Sequence, residues 1–269
     1  MMRKPLLTLI LTLCITNLHA QDLIVIKSAN LKCNDSILVF TPVNDSIYHP
    51  NLFLLHGWSG NYKNWSEKYD LQEISNRSGF RIICPDGFYN SWYVNSSDKN
   101  GMQWRTFFDE ELYPLMKKKY NLDPKTTFIT GLSMGGHGAI NIFLDNPDRF
   151  AAAGSMSGVL NIHHTTLIEK YITKVLGEYS QENKRYDEES AINRVEKMIG
   201  TDKIMILSCG YSDYYAKSTY EFAEKCRELG IPYFMTISPG KHSWKFWGYA
   251  LEQHLWLFNK IIKGENLGY

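Results

Sequence analysis

An α/β fold with one mostly parallel central sheet and helices on both faces follows from three features of this sequence. Strand-length apolar runs alternate with longer amphipathic stretches from about residue 51 to the end. The strand runs are apolar throughout rather than at every second position, as expected of strands covered on both faces. The residues from 21 to 269 are a number that one α/β unit commonly fills with a large buried core.

Each element can be justified in turn. Residues 23–27 and 36–41 flank an Asn/Asp-containing segment and predict an antiparallel entry hairpin. Strands follow at 51–55, 80–84, 127–130, 151–156, 204–208 and 233–237, most of them bounded by Gly, Pro, Asn or Asp. Between and after them, helical periodicity covers 65–77, 105–120, 134–146, 214–229 and 244–262. The segment 158–203 breaks the alternation. It is charge-rich, carries helical periodicity at 166–176 and 190–199, and leaves the sheet just past the 151–156 strand. It is expected to be an insertion that borders a substrate cleft, because loops on a rigid scaffold commonly set specificity. No repeat or low-complexity segment occurs.

The chemistry concentrates at the ends of the predicted strands. Gly131-Leu132-Ser133-Met134-Gly135-Gly136 lies directly after one strand and directly before a helix. A strand, tight turn and helix in that order lift the serine hydroxyl at the carboxyl edge of a parallel sheet, with the helix amino terminus pointing at it. Gly131 and Gly135 let the turn close, and Gly136 lets the helix approach the neighbouring strand. Serine becomes nucleophilic only when a base takes its proton, and that base needs a carboxylate to fix its tautomer. Asp213 follows the 204–208 strand and its Cys209-Gly210 break; His242 follows the 233–237 strand and Ser238-Pro239-Gly240. Both are therefore expected on the same rim as Ser133. Asp187 and Asp202 are the competing acids. His49, His56, His163 and His254 are the competing bases, and His137 is expected to pack or to face solvent.

A tetrahedral intermediate also needs amide donors for its oxygen. The glycine-rich turn His56-Gly57-Trp58-Ser59-Gly60 follows the 51–55 strand, so the Trp58 amide, with Gly57 as the alternative, is expected to join that of Met134. Aromatic residues crowd the same strand ends. Trp92 and Trp244 are expected to contact substrate, and with Trp58 to press the cleft from three sides, which favours short or flat acyl groups.

With these motifs in place the chain resembles the putative-esterase branch of the α/β hydrolases. That branch includes S-formylglutathione hydrolases, feruloyl and acetylxylan esterases, tributyrin esterases and mycolyltransferases. The resemblance runs from about Asn51 to about Trp256. It rests on Leu55-His56-Gly57, Pro85-Asp86-Gly87 with Ser91-Trp92-Tyr93, Glu111-Leu112 with Pro114, Gly131 to Gly136, Asn146-Pro147-Asp148 with Phe150, Cys209-Gly210 with Asp213, and Pro239-Gly240-Lys241-His242. Ser243 stands where relatives often carry an acid. The resemblance implies an α/β-hydrolase fold and a triad of Ser133, Asp213 and His242. With the leader and the aromatics, it favours removal of acetyl or feruloyl groups from polysaccharide or other small esters, without a cofactor. Acyl transfer to a sugar, or carbohydrate binding without catalysis, are the alternative classes.

The first residues read as a secretory leader: Arg3 and Lys4, an apolar stretch at 6–15, and Leu18-His19-Ala20 before a cleavage point. A lipid anchor on Cys14 is the competing reading, disfavoured by Leu13. Export to the periplasm or the medium is the expectation. Because the leader holds two basic and no acidic residues, its removal moves the formal charge from +1 to −1. Nothing in that balance points to nucleic acid, and no later segment is long and apolar enough for a membrane helix. Cys33, Cys84, Cys209 and Cys226 are expected to be buried free thiols, with a disulfide among them as the alternative in an exported protein, and no metal-ligand motif occurs.

Overall fold

The computed structural model describes residues 21–43, 48–165, 168–265 and 267, without the side chains of 168 and 169. The leader and Cys14 lie outside the described residues. Eight strands form one sheet: β1 (Gln21–Lys27), β2 (Asn34–Phe40), β3 (Asn51–Leu55), β4 (Arg81–Pro85), β5 (Thr127–Gly131), β6 (Ala152–Met156), β7 (Ile204–Gly210) and β8 (Tyr233–Ser238). Their spatial order is β1-β2-β4-β3-β5-β6-β7-β8. The entry hairpin β1/β2 and the β2/β4 pair are antiparallel; every other pair is parallel. The chain therefore steps outward from β3 to β4, then returns past β3 to β5. That reversal opens a crevice beyond the carboxyl ends of β3 and β5, the place where α/β sheets bind ligands.

The helices are α1 (Leu71–Ser78), α2 (Trp104–Phe107), α3 (Tyr113–Tyr120), α4 (Met134–Asp145), α5 (Thr173–Leu176), α6 (Arg185–Glu188), α7 (Ala216–Glu228) and α8 (Trp244–Ile262). Alternate strand residues feed two cores. Phe53, Leu55, Ile129, Ala153 and Leu207 face α3, α4 and α7, whereas Leu52, Leu54, Phe128, Ala152 and Ile206 face α1 and α8. Both faces are covered, and β3 to β7 are buried along their whole length.

Four predicted helices differ from the structure. The helix expected at 65–77 begins only at Leu71, because Asp70 caps it by accepting from the Glu73 amide at 3.0 Å, and Trp65 is held in the preceding turns by donating its indole N–H to Leu55 O at 3.1 Å. The stretch expected at 105–120 is helical, but a π-helical turn at Phe108–Leu112 separates α2 from α3. The segment 190–199 forms two 3-10 turns, Ala191–Asn193 and Val195–Met198, rather than one helix. Between them Arg194, with φ −119°, donates from its guanidinium to Asn141 Oδ1 at 2.7 Å and pairs with Asp145, so a tertiary tie overrides the periodicity. Of the stretch expected at 166–176, residues 166 and 167 lie outside the described residues; the rest is a π turn, Ile168–Ile172, running into α5.

All four cysteines of the described residues are free. Cys84, Cys209 and Cys226 are buried, but Cys33 is exposed, on the turn between β1 and β2, where no apolar neighbourhood encloses it.

Candidate active site

The turn after β5 is forced by close contacts. A Cβ on Gly131 would lie 2.6 Å from the Gly135 carbonyl, and one on Gly135 would lie 2.6 Å from the carbonyls of Leu55 and His56. The turn is thus wedged against the end of β3, and side chains are excluded on both sides of the serine. Ser133 has φ 52° and ψ −116°, a conformation that glycine tolerates and an L-residue rarely adopts. It persists because its own N–H donates to Met156 O at 2.9 Å and its carbonyl accepts from His137 at 3.0 Å, so both flanks are fixed.

The structure brings Ser133, His242 and Asp213 into one hydrogen-bonded chain. Ser133 Oγ lies 3.0 Å from His242 Nε2, and His242 Nδ1 lies 2.9 Å from Asp213 Oδ2 and 3.2 Å from Oδ1. Asp213 is 5% exposed and its Oδ1 also accepts from the Tyr215 amide at 2.9 Å, so the carboxylate is held from two directions. An Nδ1–H donated to Asp213 leaves Nε2 as an acceptor facing the hydroxyl.

The competing residues lie elsewhere. Asp187 pairs with His163 at 3.0 Å on the outer face of the insertion. Asp202 precedes β7 and so falls at the opposite edge of the sheet. His56 presents Nδ1 to Gly57 O at 2.7 Å and accepts from the Gly87 amide at Nε2, also at 2.7 Å. Both nitrogens are occupied in shaping the turn that carries Trp58. His137 is fully buried against Glu189 O at 2.9 Å, and His254 is fully buried between Thr130 and Ser208. Burial pushes both imidazoles down to a pKa of about 3, which keeps them neutral.

A cleft of about 320 Å³ opens over Ser133 and His242. It is walled by Trp58, Asn64, Leu132, Tyr214, Tyr215, Trp244 and Trp247. Trp58 and Trp244 line it. Trp92 does not, which corrects the expectation that it touches substrate. Trp92 and Tyr93 both take left-handed backbone, φ 55° and 57°, and this pair turns the chain inward. Tyr93 then donates to His56 O at 2.8 Å, and Trp92, only 1% exposed, packs edge-on to His137 with its indole N–H on Asn90. Asn64 and Tyr215 escape the sequence reading as wall residues; Tyr215 was legible only as a neighbour of Asp213. Tyr171 of the insertion reaches the wall from behind, its ring 4.3 Å from that of Trp58, while Tyr89 packs on Trp58 at 5.0 Å. No described insertion residue lines the cleft itself; much of that segment lies over α4, where Glu189 O also accepts from Asn141 at 3.0 Å.

Among the described residues no group of three His, Cys, Asp or Glu side chains could hold a metal ion, and no helix is long and apolar enough to cross a membrane.

Residues 28–258 match the family model described as "Putative esterase". The chain is 27% identical over 243 residues to an acetyl esterase of Caldicellulosiruptor saccharolyticus, covering 82% of this chain and 91% of that one. It is 24% identical over 254 residues to an S-formylglutathione hydrolase of Arabidopsis thaliana, covering 85% and 88%. Among solved structures it resembles a ferulic acid esterase with a TM-score of 0.76 at 24% identity, covering 90% of this chain and 97% of that one. Strand order, strand-end turns and the family match agree: the chain belongs to the esterase family with the α/β-hydrolase fold and is a carboxylic ester hydrolase.

Proposed function

We propose that this chain is an exported serine esterase that cleaves acetyl or feruloyl esters of polysaccharides through an acyl-enzyme on Ser133. The observation that carries the reading is the hydrogen-bonded chain from Ser133 through His242 to a buried Asp213, at the floor of an aromatic cleft. His242 Nε2 takes the Ser133 proton as Oγ attacks the ester carbonyl. Asp213 holds the tautomer and balances the imidazolium. The proton then passes to the departing alcohol, and water repeats the sequence on the acyl-enzyme. The reaction needs no cofactor.

The oxyanion is assigned to the amides of Met134 and Trp58. Met134 opens α4, so its N–H has no acceptor within the helix. The amides after Trp58 are committed elsewhere, Ser59 to Tyr89 O at 2.9 Å and Gly60 to Gly57 O at 3.2 Å. Acetyl or feruloyl specificity is supported by the likeness to an acetyl esterase and by a small cleft walled by rings, which suits short or flat acyl groups. Export rests on the leader-like first twenty residues, and recovery of the processed protein outside the cytoplasm checks it.

A panel of acetyl, butyryl, feruloyl and dodecanoyl esters tests the specificity. The ratio kcat/KM for acetyl or feruloyl esters should exceed that for dodecanoyl esters by at least about tenfold, since long chains lose rotamer freedom on ordering. A preference for long chains would reject the assignment.

A further inference from the structure

One residue of the cleft has an exposure that packing does not explain. Tyr214 is 71% exposed, yet its ring sits 4.5 Å from the His242 imidazole, only 34° from parallel. Trp247 meets the same imidazole edge to face at 4.8 Å and 90°, and Tyr215 at 5.3 Å and 69°. His242 is therefore ringed by three aromatic side chains, of which Tyr214 is the closest and the least steeply inclined, turning its face rather than its edge toward the imidazole. The arrangement is built by one short segment. Asp213 supplies the carboxylate to Nδ1, Tyr214 the tilted ring, and Tyr215 the amide that holds Asp213, with its own hydroxyl 2.6 Å from Thr165.

We propose that Tyr214 is a positioning residue whose ring face stabilises the His242 imidazolium while the proton of Ser133 resides on Nε2. The inference rests on the triad reading above. A neutral imidazole and a phenol ring attract each other weakly, but a cation over a ring face is drawn to the negative centre of the quadrupole. The charge exists only after Ser133 Oγ has passed its proton to Nε2 and before that proton leaves with the alcohol. The ring thus favours the charged stage over the resting enzyme, which is the condition for raising kcat rather than tightening ground-state binding. The contact is half open to water, so its effect is at the lower end for such pairs. Burial and the Asp213 carboxylate raise the Tyr214 phenol above its ordinary value, so the ring stays an uncharged phenol while His242 cycles.

The test replaces Tyr214 with phenylalanine and then with mono-, di- and trifluorinated phenylalanines, which drain the ring face of negative potential with little change of shape. Because the side chain is mostly exposed, these variants leave no core cavity. With p-nitrophenyl acetate as substrate, kcat should fall stepwise along the series, to about one third of the phenylalanine variant at three fluorines, while KM changes by less than about twofold. A flat kcat across the series, with loss only in Tyr214→Leu, would mean that the ring merely packs. Movement of KM in place of kcat would make Tyr214 a substrate wall. Either result overturns the proposal. His242→Asn is assayed alongside: if that variant keeps its activity, the triad reading itself fails, whereas an inactive His242→Asn beside a flat fluorine series removes Tyr214 alone.

Discussion

Two serine–histidine pairs lie among the described residues at the same separation, and only one has the surroundings that the proposed mechanism needs. Ser133 Oγ is 3.0 Å from His242 Nε2 at the carboxyl rim of the sheet, and Ser208 Oγ is 3.0 Å from His254 Nε2 in the layer between β7 and α8. What differs is the third partner and the surroundings. His242 has Asp213 on Nδ1, whereas His254 has the Thr130 hydroxyl at 2.9 Å. His254 is fully enclosed and its ring passes over Gly154, where a Cβ would come within 2.4 Å of Nδ1. Among the described residues no carboxylate balances an imidazolium there, and His254 is closed off from any ester. The comparison teaches that a hydrogen-bond distance does not make a nucleophile; charge compensation and access do.

The largest effect should come from Ser133→Ala, with kcat reduced by at least about four orders of magnitude and an unchanged circular dichroism spectrum. A variant retaining a tenth of wild-type turnover would remove Ser133 from the mechanism. On the other side of the comparison, a fluorophosphonate probe should label wild type and Ser208→Ala equally and should not label Ser133→Ala; mass mapping of the adduct decides it.

The third partners should separate next. Asp213→Asn is expected to lower turnover by roughly 10³ to 10⁴, because the amide cannot hold the imidazole in its working tautomer. Thr130→Val, which strips the hydroxyl from His254, should leave turnover within about threefold. Equal losses in the two variants would erase the distinction drawn here.

A smaller effect concerns acid stability. His254 and His137 are neutral in the folded protein, with pKa values lowered to about 3 by burial, whereas in the unfolded chain they protonate near the ordinary value. Between those limits the unfolded state binds more protons, so their contribution is present above about pH 6.5 and is lost as pH falls toward 3. Urea midpoints measured from pH 7 to pH 4 should decline, and His254→Asn should flatten the decline. A slope identical to wild type would place the acid sensitivity elsewhere. The smallest expected change is that of Ser208→Ala, about 1 kcal/mol of stability for one buried hydrogen bond, read from the same midpoints.

That Ser133, Asp213 and His242 share a rim is legible in the sequence because each follows a strand whose end is marked by glycine, and in a parallel sheet those ends lie together. Trp92 was not legible. Its distance from the cleft depends on two successive left-handed residues, and nothing in the pattern of Trp92 and Tyr93 announces positive φ. The packing of Tyr171 on Trp58 is hidden for another reason: it joins residues far apart in the chain through a segment whose helical periodicity is only partly realised. At 190–199 the ties of Arg194 to Asn141 and Asp145 outweigh local preference. The sheet order likewise depends on which side of β3 each new strand joins, and local periodicity carries no term for that choice.

The backbone at Ser133 has a consequence for how such an enzyme can be lost. A side chain at φ 52° and ψ −116° costs on the order of 1–3 kcal/mol, and glycine would occupy the same place without that cost. Ser133→Gly should therefore yield a dead protein that melts at a higher temperature than the active one. In a lineage released from the need for ester cleavage, the first step toward inactivity would on this account be favoured by folding.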